Sequence, residues 1–282
     1  MIEIEDLSFR YRSQEGELAL RNVNLTVEEG EFLGLVGETG AGKTTLLSAM
    51  CGVIPHHTSG EKEGTVHVKG KSVEEYDSLV DIAVEVSMVL DTPENQLFNL
   101  YVFDEIIWGP ENLGLDRDEI LERGNRALEL FGLEGFEDRI TYNLSGGEKQ
   151  KVAIASIYAL SPDIILLDEP TSQLDPIGTE MVFQAVDQLI DEGVTIVMVE
   201  HKIEELAKYA DRMGLMRGGE LSYIDETRPF LENAQDRGIA PPQVTELAQR
   251  LHRDTTERFP VPTTLDEGVE AYTDLYRRRG YR

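Results

Sequence analysis

The chain is predicted to be α/β, a mostly parallel sheet covered by helices, with an inserted helical subdomain and a small C-terminal appendage. Three observations carry that prediction. The apolar run Phe32-Leu33-Gly34-Leu35-Val36 leads straight into Gly37-Glu38-Thr39-Gly40-Ala41-Gly42-Lys43-Thr44-Thr45, a glycine-bearing string that a helix follows. Residues 164–167 and 195–199 are two further apolar runs, each preceded by a helical segment. Strands buried on both faces read in this unbroken way, and their alternation with helices argues for parallel pairing.

The elements follow in order. Residues 2–9 and 22–28 alternate apolar and polar side chains and read as half-buried strands. Residues 44–51 read as the helix after the glycine string. Residues 91–160 are mainly helical: 118–131 carries apolar residues at helical spacing, and 148–158 forms another helix. That block is expected to be a subdomain inserted between the glycine string and the later strands. After Gly218-Gly219 the pattern changes. Pro229, Pro241-Pro242 and Pro260-Val261-Pro262 punctuate short helical pieces, of which 243–251 is the clearest. The expected division is residues 1–228 as the core and 229–282 as a C-terminal extension. Arg277-Arg278-Arg279 is the one basic cluster and reads as a solvated end or a salt-bridging contact.

Bulk properties narrow the function classes. With 40% hydrophobic and 7% aromatic residues, the 282-residue chain can bury a core and is not a disordered acidic chain. Its 26 basic and 54 acidic residues give a net charge of -28, which repels phosphate backbones and excludes nucleic acid as a general partner. Anionic lipid surfaces are disfavoured for the same reason. Only 8 of the basic residues are Lys, against 18 Arg; excess carboxylate with scarce Lys suggests a salt-rich cytoplasm, where screening suppresses self-repulsion. Cys51 is the single cysteine, so no disulfide framework or multi-cysteine metal site is expected. Met1-Ile2-Glu3-Ile4-Glu5 alternates like a strand and lacks a signal peptide's build, and no run approaches the roughly 20 apolar residues that span a bilayer. The expectation is a cytoplasmic chain whose membrane role comes from its partners.

The chemistry lies in four strings. Gly37, Gly40 and Gly42 let backbone N–H groups approach phosphate oxygens, and the helix beginning near Lys43 points its positive end at the same anion. Glu38, Thr39, Ala41 and Thr45 complete this phosphate loop; Lys43 would neutralise the terminal phosphates, and the Thr44 hydroxyl would ligate Mg²⁺. A chance glycine turn does not account for the complete spacing between a buried strand and a helix. Residues 164–170 form an apolar strand ending in Asp168-Glu169-Pro170: Asp168 would hold Mg²⁺ through water, and Glu169 would polarise the attacking water as general base. An acidic pair alone is often a solvated turn; coupled to the loop it becomes specific. A lone histidine is more often structural, but His201 ends the next strand, where a contact to the γ-phosphate is needed, and is assigned to that role. Leu144-Ser145-Gly146-Gly147-Glu148 places a hydroxyl and two glycines at a helix start. A capped helix start explains the serine but not the two glycines.

With these strings in order, the chain resembles an ABC-type ATPase subunit over roughly residues 1–225. The resemblance implies ATP sandwiched between two such subunits, with Ser145, Gly146 and Gly147 completing the partner's nucleotide site. It also implies that Tyr11 stacks on adenine, against the plain alternative of a core aromatic. Ser172-Gln173-Leu174-Asp175 would run along the dimer seam. Pro93-Glu94-Asn95-Gln96-Leu97-Phe98, residues 109–115 and Pro241-Pro242-Gln243-Val244-Thr245-Glu246-Leu247 are similar to ATPase subunits of energy-coupling-factor transporters, which import vitamins or transition-metal ions. That similarity implies a second ATPase subunit, the same chain or a paralogue, a transmembrane coupling subunit and a substrate-binding membrane subunit. It implies a groove for coupling helices, a C-terminal extension that helps hold the ATPase pair together, and a peripheral place on the cytoplasmic face of the membrane. One departure stands out: the family's glutamine ahead of the Pro-Glu-Asn-Gln string is matched here by Asp91, after Leu90. Asp91 either stays in the site as a metal or water ligand or is merely solvated. Two rivals remain open, a soluble ABC ATPase acting on DNA or the ribosome and an ATP-gated scaffold that does not hydrolyse.

Overall fold

The computed structural model describes residues 1–12, 16–254 and 258–278. The chain opens with strands β1 (Ile2–Tyr11), β2 (Leu20–Val27) and β3 (Phe32–Gly37), followed by helices α1 (Lys43–Met50) and α2 (Val53–His56) and strands β4 (Gly60–Val68) and β5 (Lys71–Ser72). Strands β1 and β2 alternate buried and exposed residues as their sequences predict. They do not join the parallel sheet. They form a separate antiparallel sheet in the order β2-β1-β4-β5. A strand with one wet face can pair this way, whereas parallel strands are covered on both faces. The second sheet was hidden because β4 buries only Val66 and Val68 within a polar, glycine-bearing stretch.

Next come α3 (Leu79–Ala83), β6 (Val86–Val89), α4 (Val102–Asn112), α5 (Arg117–Leu130), α6 (Gly146–Tyr158), β7 (Ile164–Asp168), α7 (Pro176–Asp191), β8 (Thr195–Val199), α8 (Ile203–Tyr209), β9 (Arg212–Arg217) and β10 (Glu220–Glu226). The larger sheet runs β10-β9-β3-β8-β7-β6, parallel except for the β9–β10 hairpin. Gly218 and Gly219, both at positive φ, make its two-residue turn, so the change of pattern after the glycine pair begins with a hairpin strand. Side chains on β7 alternate between two cores. Ile165 and Leu167 pack with α4–α7, while Ile164 and Leu166 pack with α1 and the antiparallel sheet. Burial on both faces explains the unbroken apolar run.

Helices α9 (Thr227–Glu232), α10 (Gln243–Asp254) and α11 (Leu265–Arg278) follow. They are tied by Thr245 Oγ1 donating to the Pro262 carbonyl at 2.7 Å and by an Arg228–Glu267 ion pair at 2.7 Å. In the basic cluster, the Arg277 guanidinium lies 3.9 Å from Asp274; Arg279 lies outside the described residues. Among the described residues, no helix is long and apolar enough to cross a membrane.

Candidate active site

The parallel strands β3, β7 and β8 end side by side, and the turns beyond them carry the chemistry. From β3 the chain turns into α1, whose N-cap is Gly42 at φ 98°, with no side chain capping the first amides. A Cβ on Gly42 would stand 2.5 Å from the Ala19 carbonyl oxygen, so both conformation and space require glycine. The hairpin turn braces this loop: Gly219 N–H donates to the Ala41 carbonyl at 3.1 Å, and the Gly219 carbonyl accepts from Arg21 N–H at 2.8 Å. An uncapped helix start with free amides favours an anion.

Lys43 is 4% exposed, and its Nζ donates to the carbonyls of Gly37 (2.9 Å) and Glu38 (3.1 Å). The same ammonium lies 3.4 Å from Glu169 Oε1, which also accepts from His201 Nε2 at 3.0 Å. The strands set this meeting: Asp168 pairs with Val199 across β7–β8, and Glu169 N–H donates to the Val199 carbonyl at 2.9 Å. Glu169 itself sits at φ 46°, a left-handed conformation uncommon outside glycine.

These groups border a cleft of about 460 Å³ lined by Tyr11, Thr39, Gly40, Gly42, Lys43, Thr44, Thr45, Asp91, Asp168 and Glu169. Gly37, Glu38 and Ala41 are not on its wall; Gly37 and Glu38 supply carbonyls to Lys43, and Ala41 is buried. Tyr11 Oη and Thr45 Oγ1 are hydrogen bonded at 2.9 Å, and the Tyr11 ring meets Phe9 edge-on. Glu17, Leu18 and Ala19 also line the cleft. No motif pointed to them; they enter because β2 starts beside the loop.

The donor set suits a hard divalent cation. Asp168 is 5% exposed, and its buried Oδ1 has no hydrogen-bond partner. Burial makes the Asp168 carboxyl hold its proton more tightly than usual, the Thr44 hydrogen bond opposes this, and the charges of Glu169 and Asp91 add to it. Thr44 and Asp91 stand on the same cleft. Among the described residues, no three His, Cys, Asp or Glu side chains form a metal cage. Such a set fits an ion completed by substrate oxygens and water, the habit of Mg²⁺. The loop carrying Asp91 is held on both sides of Leu90: Gln96 Oε1 accepts from its N–H, and Gln150 Nε2 donates to its carbonyl, both at 3.1 Å.

Ser145, Gly146 and Gly147 do not line their own chain's cleft. Ser145 and Glu148 close a capping box at the start of α6, the Ser145 amide donating to Glu148 at 2.8 Å. The capping box accounts for the serine and not for the glycines, as the sequence suggests, but helix packing gives one of the two glycines a role within the chain. A Cβ on Gly147 would lie 2.6 Å from the Gly178 Cα, so α6 and α7 approach too closely for any side chain there. Gly146 faces only the Leu174 side chain, at 2.9 Å. Asp175 caps α7 by accepting from Gly178 N–H at 2.7 Å, and Gln173 donates to Thr92 at 3.2 Å.

Comparison with known proteins agrees with this geometry. Residues 20–172 match the family model described as ABC transporter. The chain is 36% identical to the energy-coupling factor transporter ATP-binding protein EcfA2 of Clostridium perfringens, with 98% of each chain covered. It superposes with a TM-score of 0.75 and 27% identity on cbiO1 from Clostridium perfringens, part of the ABC transporter complex cbiONQ, over 90% of this chain and 96% of that one. A dimeric ATP-binding cassette in a post-hydrolysis state, bound to ADP and Pi, matches with a TM-score of 0.70 and 28% identity over 81% of this chain and 99% of that one.

Proposed function

The chain belongs to the ABC transporter ATPase family, and from that premise we propose that it energises an energy-coupling-factor importer of a vitamin or a transition-metal ion. The observation that carries the hydrolytic part is the meeting of Lys43, Glu169 and His201 around one carboxylate oxygen at the mouth of an uncapped helix. In this reading Lys43 and the loop amides hold the triphosphate, and Tyr11 packs on the base. Thr44 and Asp168 would hold Mg²⁺, with Asp91 as a further oxygen ligand. When bound, Mg²⁺ neutralises charge on the transferring phosphoryl group. Glu169 takes the proton of the attacking water, and His201 steers the γ-phosphate and keeps Glu169 aimed.

Ser145, Gly146 and Gly147 would act in trans on a second subunit's nucleotide, since none of them lines the cleft of its own chain. The dimeric cassette bound to ADP and Pi supports that arrangement. Phe98, Leu100, Tyr101, Trp108, Ile140 and Tyr142 are large exposed apolar side chains on and around α4, a surface suited to the coupling helices of a transmembrane subunit. Leu247, Leu265, Val269 and Tyr276 give α10 and α11 exposed apolar residues for subunit contact. The chain would then work from the cytoplasmic face of the membrane, in company with a substrate-binding membrane subunit.

The test uses tagged Glu169→Gln chain recovered from solubilised membranes of its own host, with ATP present. We expect it to bring down a transmembrane coupling subunit and a small multi-helix binding protein, retain ATP and release little phosphate. Recovery of soluble partners alone would overturn the importer reading. Phosphate release at the parental rate would overturn the assignment of Glu169 as base.

A further inference from the structure

We infer that Glu200 is a positioning residue for ATP hydrolysis, setting His201 against Glu169 from beneath the site. The inference rests on the roles proposed above for those two residues. Glu200 is 1% exposed and does not line the nucleotide cleft, so it touches no substrate. A buried carboxylate is costly unless its lone pairs find donors. Here Oε1 accepts from the His201 N–H at 2.8 Å and the Lys202 N–H at 3.2 Å, and Oε2 accepts from the Thr171 hydroxyl at 2.6 Å.

These partners define what the carboxylate does. Thr171 is fully buried and lies two residues beyond Glu169, across Pro170. His201 and Lys202 open the turn after β8. One side chain therefore ties the turn leaving Glu169 to the turn carrying His201. The strands fix both backbones only as far as Asp168 opposite Val199, with one bond more from Glu169 N–H to Val199. Beyond that level the spacing depends on side chains. Glu200 is itself anchored, its N–H donating to the Leu35 carbonyl of β3 at 3.2 Å. Lys202 adds a second strap, its Nζ donating to Thr179 Oγ1 at 2.6 Å and to the Thr171 carbonyl at 3.3 Å. Glu169 holds an uncommon left-handed φ of 46°, a conformation that persists only where surroundings over-determine it. The Glu200–Thr171 bond supplies such a constraint on the side of the turn that the strands leave free.

A purely structural Glu200 and a positioning Glu200 differ in what its loss does to turnover. Steady-state ATPase kinetics of the full chain should show Glu200→Ala lowering kcat about 100-fold, the scale of a misplacement near 1 Å, with KM for ATP unchanged. Glu200→Gln should recover most of that loss. Its amide oxygen still accepts from both backbone N–H groups, and the Thr171 hydroxyl can turn to accept from the amide NH₂. The deciding measurement is the double-mutant cycle with His201→Ala. If Glu200 acts through His201, the double variant turns over as fast as His201→Ala alone. Multiplying losses, or an undiminished kcat in folded Glu200→Ala, would overturn the inference. Should Glu200→Ala not fold, Thr171→Val removes the Oε2 partner at nearly constant shape and takes its place in the cycle with the same expected outcome. His201→Ala at the parental kcat would overturn the role proposed for His201 and this inference with it. A slowed His201→Ala with multiplying losses would overturn the inference alone.

Discussion

Helix α1 begins with bare amides at Gly42, whereas α6 begins under a closed capping box of Ser145 and Glu148. Both starts carry glycine, and both present the positive end of a helix dipole. At α1 the glycine is required by a left-handed φ and by the nearby Ala19 carbonyl, and the unmet donors face a cleft with a buried cation, Lys43. At α6 the donors are partly met by the chain itself, and Gly147 is required by the contact with α7. The first leaves its donors open to a cleft of its own chain. The second is stable alone, and in the proposed dimer it acts on another chain's nucleotide. A glycine string therefore signals close approach, and what approaches is decided elsewhere.

The comparison breaks most readily at α1. Lys43→Ala should weaken ATP binding by about tenfold to a hundredfold, since a hydrogen bond to a charged group contributes about 1.5–3 kcal/mol. Calorimetric titration measures it, and an unchanged affinity would remove Lys43 from the phosphate site. At α6 the two glycines should separate. Gly147→Ala should lower folding stability by about 1–3 kcal/mol through overpacking against Gly178, read from denaturant unfolding. Gly146→Ala meets only a flexible leucine and should keep near-parental stability while reducing ATP-dependent dimer formation in light scattering. Equal stability losses at the two positions would erase the distinction.

The smallest effect concerns the apo cleft. Burial makes Asp168 hold its proton more tightly when folded than when unfolded, with Glu169 and Asp91 adding to the effect. Its charge therefore lowers stability at neutral pH. That loss is relieved as pH falls through the raised folded value toward the usual carboxylate range. Thermal unfolding without nucleotide or divalent cation should find Asp168→Asn more stable than the parent at neutral pH, with the gain shrinking on acidification. Asp91→Asn should show a smaller gain of the same sign. A destabilised Asp168→Asn would mean that its carboxylate is satisfied without a cation.

Legibility followed the range of the interactions. The phosphate loop, β7 and β8 were readable because a parallel strand buried on both faces must be continuously apolar and its turn must be short. Helices α5 and α6 are readable within a residue or two, α5 from its apolar spacing and α6 from the string that opens it. Strand β4 is not readable, because only Val66 and Val68 of its residues are buried, and the glycine pair in the β9–β10 hairpin marks a change of pattern without showing the pairing. In the site, Lys43, Asp168, Glu169 and His201 are named from local strings, and the structure brings them together: Lys43 and His201 on Glu169, and Asp168 on the same cleft as Lys43 and Glu169. Glu200 and Thr171 carried no local signal. A buried acid after an apolar strand resembles a solvated turn until its three donors are seen.

The sequence by itself determined the family, where along the chain the strands that carry the site lie, and which residue types stand in the glycine-bearing loop. Each depends on a short run of residues whose types leave little backbone choice. Only the tertiary structure decided that β1 and β2 belong to a second sheet, that Gly147 serves helix packing, and that a buried Glu200 joins the turn after Glu169 to the turn that carries His201. Those outcomes depend on which surfaces meet between separate elements of the chain, and such contact leaves no mark on local periodicity.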